Sequence, residues 1–243
     1  MFLKNFQEKA IKKLLHRSFD LISDRDKKKL VFKAPTGAGK TLMMAEYISS
    51  LCGSDILTRN LSFIWTAPRK LHIQSKRKLE NYFSNTNVVE CLNFENITDK
   101  QLFENQILFL NWESINKKNK NTIIVENEKE FYLNKILENT KEKGRSIILI
   151  IDESHHHATS ELSKKLIEDI NPKLTIEVSA TPVINDPDEI VSVSLDEARN
   201  EGMIKKSIIL NEKFDNLFKS NTFRSKLSKG SDKFVLDIAL KKQ

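Results

Sequence analysis

The chain has 243 residues, 39% of them hydrophobic, which is enough for the core of one large domain, or of one domain and part of a second. Its net charge of +7 suits a polyanionic partner but argues only for non-specific attraction. No apolar run could span a bilayer, and residues 1–7 hold no apolar signal core, so we expect a cytoplasmic protein with no membrane partner. Cys52 and Cys91 lie far apart without metal-ligand spacing, which favours reduced, partly buried thiols.

The hydrophobic pattern predicts strands that alternate with helices. The predicted strands are 30–32, 61–67, 88–92, 106–110, 146–151 and 174–178, and the predicted helices are 4–19, 42–52, 70–83, 128–142 and 161–170. Such alternation is typical of an α/β domain with a mostly parallel central sheet and helices on both faces. After residue 182 the pattern changes to a strand at 190–194 and a short helix at 195–201. The segment from 213 onward is basic and weakly patterned.

A glycine-rich turn joins the first predicted strand to the next helix. Its residues 34–41 read Ala-Pro-Thr-Gly-Ala-Gly-Lys-Thr, and Ala34 stands where a phosphate-binding loop usually has its first glycine. Glycines let backbone N–H groups converge on phosphate oxygens, and the helix N-terminus faces the same anion. The alternative is an ordinary surface turn before a helix. We predict a nucleoside triphosphate site formed by Thr36, Gly37, Ala38, Gly39, Lys40 and Thr41, in which the lysine reaches the β- and γ-phosphates and the threonine hydroxyl ligates Mg²⁺.

An acidic pair, Asp152 and Glu153, directly follows the most aliphatic predicted strand. Asp152 is placed to hold Mg²⁺, commonly through water, and Glu153 to orient and deprotonate the water that attacks the γ-phosphate. By themselves, two acidic residues after a strand commonly form an ordinary turn. The phosphate-binding loop upstream makes this pair a specific indication of a nucleotide site. Three histidines follow at 155–157, but consecutive histidines do not converge easily on one ion. We therefore retain only His155 as a functional candidate.

Two further motifs leave alternatives open. Ser179 and Thr181 follow the strand at 174–178, where they either relay the nucleotide state to moving parts or form ordinary turn hydrogen bonds. Gln7 lies one helix upstream of the glycine-rich turn. Its amide either pairs with the N6 and N7 edge of adenine or is simply an exposed helix side chain. These motifs all fit one picture, because ligands in α/β folds bind at the carboxyl ends of the strands.

With these motifs in order, the chain resembles the first RecA-like domain of superfamily 2 helicases and translocases of the DExH type. Gln7 is similar to their adenine-reading Q motif, 34–41 to motif I, 66–75 to motif Ia, 152–155 to motif II and 179–182 to motif III. Within the superfamily, the segments 109–121 and 194–210 resemble the Res subunit of type III restriction enzymes. The resemblance extends to about residue 210.

The resemblance implies a RecA-like ATP-binding domain at 30–185, preceded by a Q-motif-like helix and turn at 1–29. It implies that 186–243 is a linker and basic segment leading towards a second RecA-like domain. It also implies ATP and Mg²⁺ as cofactors, with catalytic roles for Lys40, Asp152 and Glu153, coupling roles for His155, Ser179 and Thr181, and nucleic-acid backbone contacts from Arg69 and Lys70. The expected nucleic acid is double-stranded DNA.

One departure from the superfamily pattern limits the expected activity. No Gln-x-x-Gly-Arg-x-x-Arg-like motif, which carries the arginine finger in the second RecA-like domain, follows Thr181. We therefore expect ATP binding with slow hydrolysis, and a second RecA-like domain or subunit as partner. The resemblance to Res subunits implies a modification subunit as a further partner. The leading hypothesis is the motor half of a restriction or DNA-defence enzyme. The alternatives are a non-catalytic nucleotide-dependent switch and a self-assembling ATPase whose finger comes from a neighbouring protomer.

Overall fold

The computed structural model describes residues 3–54, 60–86, 88–112, 133–153 and 161–204. One compact unit comprises Met1–Ile204, and the sequence-based limits at residues 29 and 185 both fall inside it. The remainder, Lys205–Gln243, lies outside the described residues, so the basic C-terminal segment stays a prediction.

The described residues form seven strands, six α-helices and one short 3₁₀ helix. The strands are β1 (Lys28–Lys33), β2 (Leu61–Ala67), β3 (Glu90–Leu92), β4 (Gln106–Asn111), β5 (Ser146–Asp152), β6 (Leu174–Ser179) and β7 (Glu189–Ser192). The helices are α1 (Asn5–Ser23), α2 (Lys40–Cys52), α3 (Leu71–Phe83), α4 (Leu133–Glu142), α5 (Glu161–Ile170) and α6 (Leu195–Asn200), with the 3₁₀ helix at Phe94–Asn96. Residues 128–132 of the fourth predicted helix lie outside the described part of the chain.

All seven strands join one sheet in the order β3-β4-β2-β5-β6-β1-β7, and every pair is parallel. The three central strands β2, β5 and β6 are buried along almost their whole length. Burial on both faces explains the nearly continuous apolar run of β5, whereas β6 alternates apolar and polar residues although all of them are buried. The parallel sheet confirms the expected α/β class. Because parallel strands end at the same edge, the loops that follow β1, β2, β5 and β6 share that edge of the sheet.

Helices cover both faces of the sheet, and β5 shows how its residues divide between them. Ile148 and Ile150 belong to the core beneath α1, α2 and α3, whereas Leu149 and Ile151 belong to the core beneath α4 and α5. This alternation follows from the two-residue period of a strand. Full burial of one such aliphatic side chain stabilises the fold by about 1.5–3 kcal/mol.

Helix α1 packs through an apolar stripe with helical spacing that includes Phe6, Ala10 and Leu14. A buried hydrogen bond of 2.8 Å, from the Tyr47 hydroxyl to Ser18 Oγ, joins α1 to α2. The apolar stripe serves packing within the domain. In the described part of the chain, no helix combines the length and the apolar character needed to cross a membrane.

The structure differs from the sequence-based prediction at the β1 edge of the sheet. The strand begins at Lys28 rather than Leu30, because its backbone pairs with β6 from that residue onward and the Lys28 N–H donates to the Lys173 carbonyl oxygen at 3.2 Å. Next to it, β7 pairs with β1 and places Val191 in the core. The chain from β7 to α6 therefore packs as part of the sheet-bearing unit, where a linker was expected.

Candidate active site

The turn between β1 and α2 has the geometry of a phosphate-binding loop. Gly37 and Gly39 have φ angles of 87° and 86°, in the left-handed region that residues with a Cβ rarely adopt. A Cβ on Gly39 would also lie 2.7 Å from Nε2 of Gln7, so a larger residue would both strain the backbone and displace the Gln7 amide. Gly39 is the N-cap of α2 and has no side chain to cap the helix. The first N–H groups of α2 are therefore suited to binding an anion.

A cavity of about 590 Å³ brings the predicted motifs together between this loop, the start of α3 and the end of β5. Its lining includes Thr36, Gly37, Gly39, Lys40 and Thr41 from the loop, Ser75 from α3, and Asp152 and Glu153. Cavities of this size commonly hold small-molecule ligands. Two motifs more than a hundred residues apart in sequence thus face one space.

Lys40 and Glu153 are in direct contact inside this cavity. The Lys40 Nζ lies 3.4 Å from Glu153 Oε1 and donates to the Ala34 carbonyl oxygen at 3.4 Å. Glu153 has a φ of 51°, and its N–H donates to the Val178 carbonyl oxygen at 3.0 Å. Backbone strain of this kind in a residue with a side chain clusters at functional sites. The strained turn directs the carboxylate towards the lysine of the phosphate loop.

Asp152 is 9% exposed, and its Oδ2 accepts a hydrogen bond of 3.2 Å from the Ser75 hydroxyl. Burial, and next to it the neighbouring charge of Glu153, raise the pKa of Asp152 to about 6, against the opposing effects of Ser75 and Lys40. A cation would favour the charged carboxylate.

Mg²⁺ fits the residues that this site offers. Thr41 supplies a hydroxyl and Asp152 a carboxylate in the same cavity, and Mg²⁺ typically takes one or two protein ligands together with phosphate oxygens and waters. Across the described residues, no group of three or more His, Cys, Asp or Glu side chains could hold a metal ion by itself. A cation at this position would therefore depend on the bound phosphates.

The end of β6 contacts the start of the phosphate loop through its backbone. The Ala34 N–H donates to the Ser179 carbonyl oxygen at 3.2 Å. Ser179 Oγ accepts the Thr181 N–H at 3.1 Å, which is the local turn hydrogen bond considered from the sequence. Ser179 thus joins this turn to the start of the phosphate loop.

Glu177 is a residue of this region that the sequence analysis did not single out. It is fully buried in β6, and its two oxygens accept the backbone N–H groups of Val183 at 2.7 Å and Ile184 at 2.9 Å. The signal in the sequence was an acidic residue in a predicted strand whose other residues are apolar or carry a hydroxyl group. Such a residue needs partners if it is buried.

Gln7 lies against the phosphate loop. Its Nε2 donates to the Ala38 carbonyl oxygen at 3.0 Å, and its Oε1 accepts the Lys4 N–H at 2.9 Å. The side chain is 1% exposed, so the alternative of an exposed helix glutamine is wrong. Adenine pairing by Gln7 remains a prediction.

The two residues predicted to touch nucleic acid lie outside the nucleotide cavity. Arg69 and Lys70 are exposed directly before α3, and Arg69 has a φ of 53°. Beside them, a second cavity of about 430 Å³ lies between α3, the 3₁₀ helix and the end of β4, and its lining includes His72 and Arg77. His155 and the segment 113–121 lie outside the described residues.

Residues 1–184 match the family model described as the Res subunit of type III restriction enzymes. The chain belongs to the Res subunit family. This Res-family chain therefore contains the RecA-like domain of superfamily 2 helicases and translocases, with the helicase-type ATPase motifs described above. No curated protein matches it.

Two solved structures are similar to the Res-family chain. One is a nuclease-deletion mutant of the type ISP restriction-modification enzyme LlaGI in complex with a DNA substrate mimic, with a TM-score of 0.51, 15% identity, and coverage of 98% of this chain and 24% of that chain. The other is a Dbp5 variant from S. cerevisiae bound to RNA and ADP BeF3, with a TM-score of 0.43, 13% identity, and coverage of 80% of this chain and 51% of that chain. The likeness to LlaGI shows a shared fold, and the chain spans about a quarter of the LlaGI length.

Proposed function

We propose that this Res-family domain binds ATP with Mg²⁺ and is the ATP-hydrolysing half of a DExH-type DNA helicase or translocase in a restriction or DNA-defence enzyme. The observation that carries the proposal is the 3.4 Å contact between Lys40 Nζ and Glu153 Oε1, in a cavity that Thr41 and Asp152 also line. A phosphate-binding lysine, a hydroxyl, and two carboxylates in one space are the parts that phosphoryl transfer to water requires.

Each of these residues has a proposed role in hydrolysis. The N–H groups of the loop and the Lys40 ammonium bind the β- and γ-phosphates, while Thr41 and Asp152 would hold Mg²⁺, which neutralises charge on the phosphates. Glu153 orients the attacking water and accepts its proton. Since Lys40 pairs with Glu153 in this structure, a triphosphate that draws the ammonium to its own oxygens frees the carboxylate for this step.

The coupling roles rest on backbone contacts between motifs. Ser179 accepts the Ala34 N–H through its carbonyl oxygen, so a shift of the phosphate loop changes the position of the turn that holds Ser179 and Thr181. The proposed coupling role of His155 rests on its resemblance to motif II alone.

The proposed nucleic-acid contact lies at the start of α3. Arg69 and Lys70 are exposed basic residues, and phosphate contacts from such side chains position a duplex without reading its sequence. The LlaGI structure contains a DNA substrate mimic, which favours DNA for this chain. Since no arginine-finger motif follows Thr181 in the sequence, we propose that a second RecA-like domain or subunit supplies it, and that a modification subunit completes the enzyme.

The decisive experiment measures Mg·ATP binding by calorimetry and ATP turnover with and without duplex DNA. Lys40→Ala should weaken ATP binding, because the phosphates lose their contact with the Lys40 ammonium. Glu153→Gln should still bind ATP but should not turn it over. Lys12→Ala, at an exposed position of α1, is the matched control and should behave as wild type.

Three other results would replace the proposal. ATP binding without turnover under any addition, including a second RecA-like domain, would show a nucleotide-dependent switch. Turnover that rises steeply with protein concentration would show self-assembly. A wild-type chain that does not bind ATP would refute all three functions.

A further inference from the structure

Helix α3 forms one wall of the nucleotide cavity. Residues that are three or four positions apart on a helix share a face, and the residues of α3 that line the cavity lie on one such face: Leu71, Gln74, Ser75 and Lys78. Gln74 and Lys78 are exposed, whereas Ser75 is 6% exposed. Ser75 is therefore the one polar residue of this face that is buried.

The burial of Ser75 follows from its place in the apolar stripe of α3. Leu79 and Phe83, one and two turns further along, are the other buried residues of this helix and belong to the core beneath it. Helical periodicity thus places residue 75 where an apolar side chain is usual. A polar side chain at such a position is costly unless it has a hydrogen-bond partner. The identity of that partner is therefore informative.

The partner of Ser75 is Asp152. Ser75 Oγ donates to Asp152 Oδ2 at 3.2 Å, and both residues line the nucleotide cavity. The hydrogen bond joins α3 to the end of β5 across 77 positions of the sequence. It uses one oxygen of the carboxylate, so the other oxygen lies outside this bond. A cation that binds through that other oxygen would leave the hydrogen bond to Ser75 intact.

A hydroxyl group at this position can hold the carboxylate without taking the place of a cation. Carboxylates that ligate a metal are commonly hydrogen-bonded to groups that do not touch the metal, and these groups fix the direction of the carboxylate. A donor also favours the charged form of the carboxylate, which is the form that binds cations. An apolar residue at position 75 could supply neither effect.

We propose that Ser75 is a positioning residue for Mg²⁺, whose hydroxyl holds the Asp152 carboxylate in the orientation that binds the cation. The proposal rests on the proposed function, because it presupposes Mg²⁺ and a triphosphate in this cavity. Ser75 acts through Asp152 and not through a contact with the nucleotide. Its loss therefore weakens the Mg²⁺-dependent part of ATP binding and spares the part that the phosphate loop supplies.

The test measures ATP binding to the full chain by calorimetry, over a range of Mg²⁺ concentrations and in EDTA. In Ser75→Ala the Mg²⁺ concentration that gives half of the full gain in ATP affinity should rise by about ten- to a hundredfold, as for other groups that hold a metal ligand. ATP binding in EDTA should be unchanged. Ser75→Thr keeps the hydroxyl and should recover most of the Mg²⁺ affinity. In an Asp152→Asn background, Ser75→Ala should have no further effect on the Mg²⁺ dependence, because the carboxylate that it positions is gone.

Ser62→Ala is the matched control. Ser62 is a fully buried serine of β2 whose hydroxyl donates to the Phe103 carbonyl oxygen at 3.0 Å, and it does not line the nucleotide cavity. Both alanine variants lose one hydrogen bond of a buried hydroxyl, so their urea midpoints should fall alike, whereas the Mg²⁺ dependence should change in Ser75→Ala alone. Wild-type Mg²⁺ dependence in Ser75→Ala would overturn the proposal, as would an equal loss of ATP binding in EDTA or a further loss in the Asp152→Asn background. Absence of ATP binding by the wild type under both conditions is a different result, which refutes the proposed function itself.

Discussion

Two carboxylates lie buried near the carboxyl ends of neighbouring strands, and they differ in what surrounds them. Glu177 in β6 accepts two backbone N–H groups, from Val183 and Ile184, at 2.7 and 2.9 Å. Asp152 at the end of β5 accepts the Ser75 hydroxyl at 3.2 Å, and its burial raises its pKa to about 6. Fixed donors hold the first carboxylate, whereas the cost of burial outweighs the favourable contacts of the second.

We interpret this difference as one between a structural charge and a charge that serves a ligand. A buried charge is costly unless hydrogen bonds or an opposite charge compensate it. Glu177 receives that compensation from the turn that it holds in place. Asp152 lies in the nucleotide cavity and its charge receives less compensation. A buried carboxylate with a raised pKa in a cavity is typical of functional sites. These surroundings support the proposal that Asp152 holds a cation, whereas Glu177 holds the turn after β6.

The largest expected effect comes from Asp152→Asn, which tests the second half of this comparison. Loss of a metal-holding carboxylate should lower Mg²⁺-dependent ATP turnover by about a hundredfold or more. Stability at pH 7.5 should rise by on the order of 1–3 kcal/mol, because a buried charge that its neighbours compensate only in part is removed. Turnover assays and urea unfolding measure the two effects. Asp169→Asn, at an exposed site on α5, is the control. Full ATP turnover in Asp152→Asn would contradict the proposed metal-holding role of Asp152.

Glu177→Gln should have the opposite signature. The amide can accept only through its one oxygen, so one of the two backbone N–H groups loses its acceptor, which costs about 1–3 kcal/mol of stability. ATP affinity should stay at the wild-type value, because Glu177 does not line the nucleotide cavity. Urea unfolding and calorimetry measure these quantities, and Glu168→Gln on the exposed side of α5 is the control. If Glu177→Gln is as stable as the wild type, the Glu177 carboxylate does not hold this turn in place.

The pH dependence of stability sharpens the contrast. The folded-state pKa of Asp152 is raised from 3.8 to about 6, so the native state binds more protons than the unfolded state between these values. Stability therefore falls as the pH rises through this window. From pH 5 to 7.5, ligand-free wild type should lose about 1 kcal/mol relative to Asp152→Asn. Urea midpoints at the two pH values test this, and parallel behaviour of the two proteins would contradict the raised pKa.

The phosphate loop and the acidic pair could be predicted from the sequence because each is a local pattern. A glycine-rich turn between a strand and a helix at 34–41, and two acids after an aliphatic strand, each specify their own geometry. The parallel sheet followed from the alternation of strands and helices. The bounds of β2 and α5 were predicted to the residue, since both are strongly patterned.

Contacts that join distant backbone groups could not be predicted in this way. Glu201 caps α1 across 196 residues, and no periodicity marks a carboxylate that serves a helix so far away in sequence. Glu177 binds N–H groups whose direction depends on the turn after β6. The pairing of β7 with β1 was missed for a similar reason, since a four-residue edge strand depends on its neighbour more than on its own sequence.

The smallest expected effect concerns the turn that Glu177 holds. Ser179→Ala removes the acceptor of the Thr181 N–H and should cost about 0.5–1.5 kcal/mol of stability, as for a typical hydrogen bond. If this turn relays the nucleotide state, the variant should also lose much of the stimulation of ATP turnover by duplex DNA while its ATP affinity is unchanged. The matched control is Ser194→Ala, which loses a comparable N–H acceptor at the start of α6. Thr36→Ala is unsuitable as a control because Thr36 lines the cavity. If duplex DNA stimulates ATP turnover equally in Ser179→Ala and Ser194→Ala, the Ser179 hydroxyl serves only to form the turn. The backbone hydrogen bond between Ser179 and Ala34 is kept in the variant, so the comparison tests the hydroxyl alone.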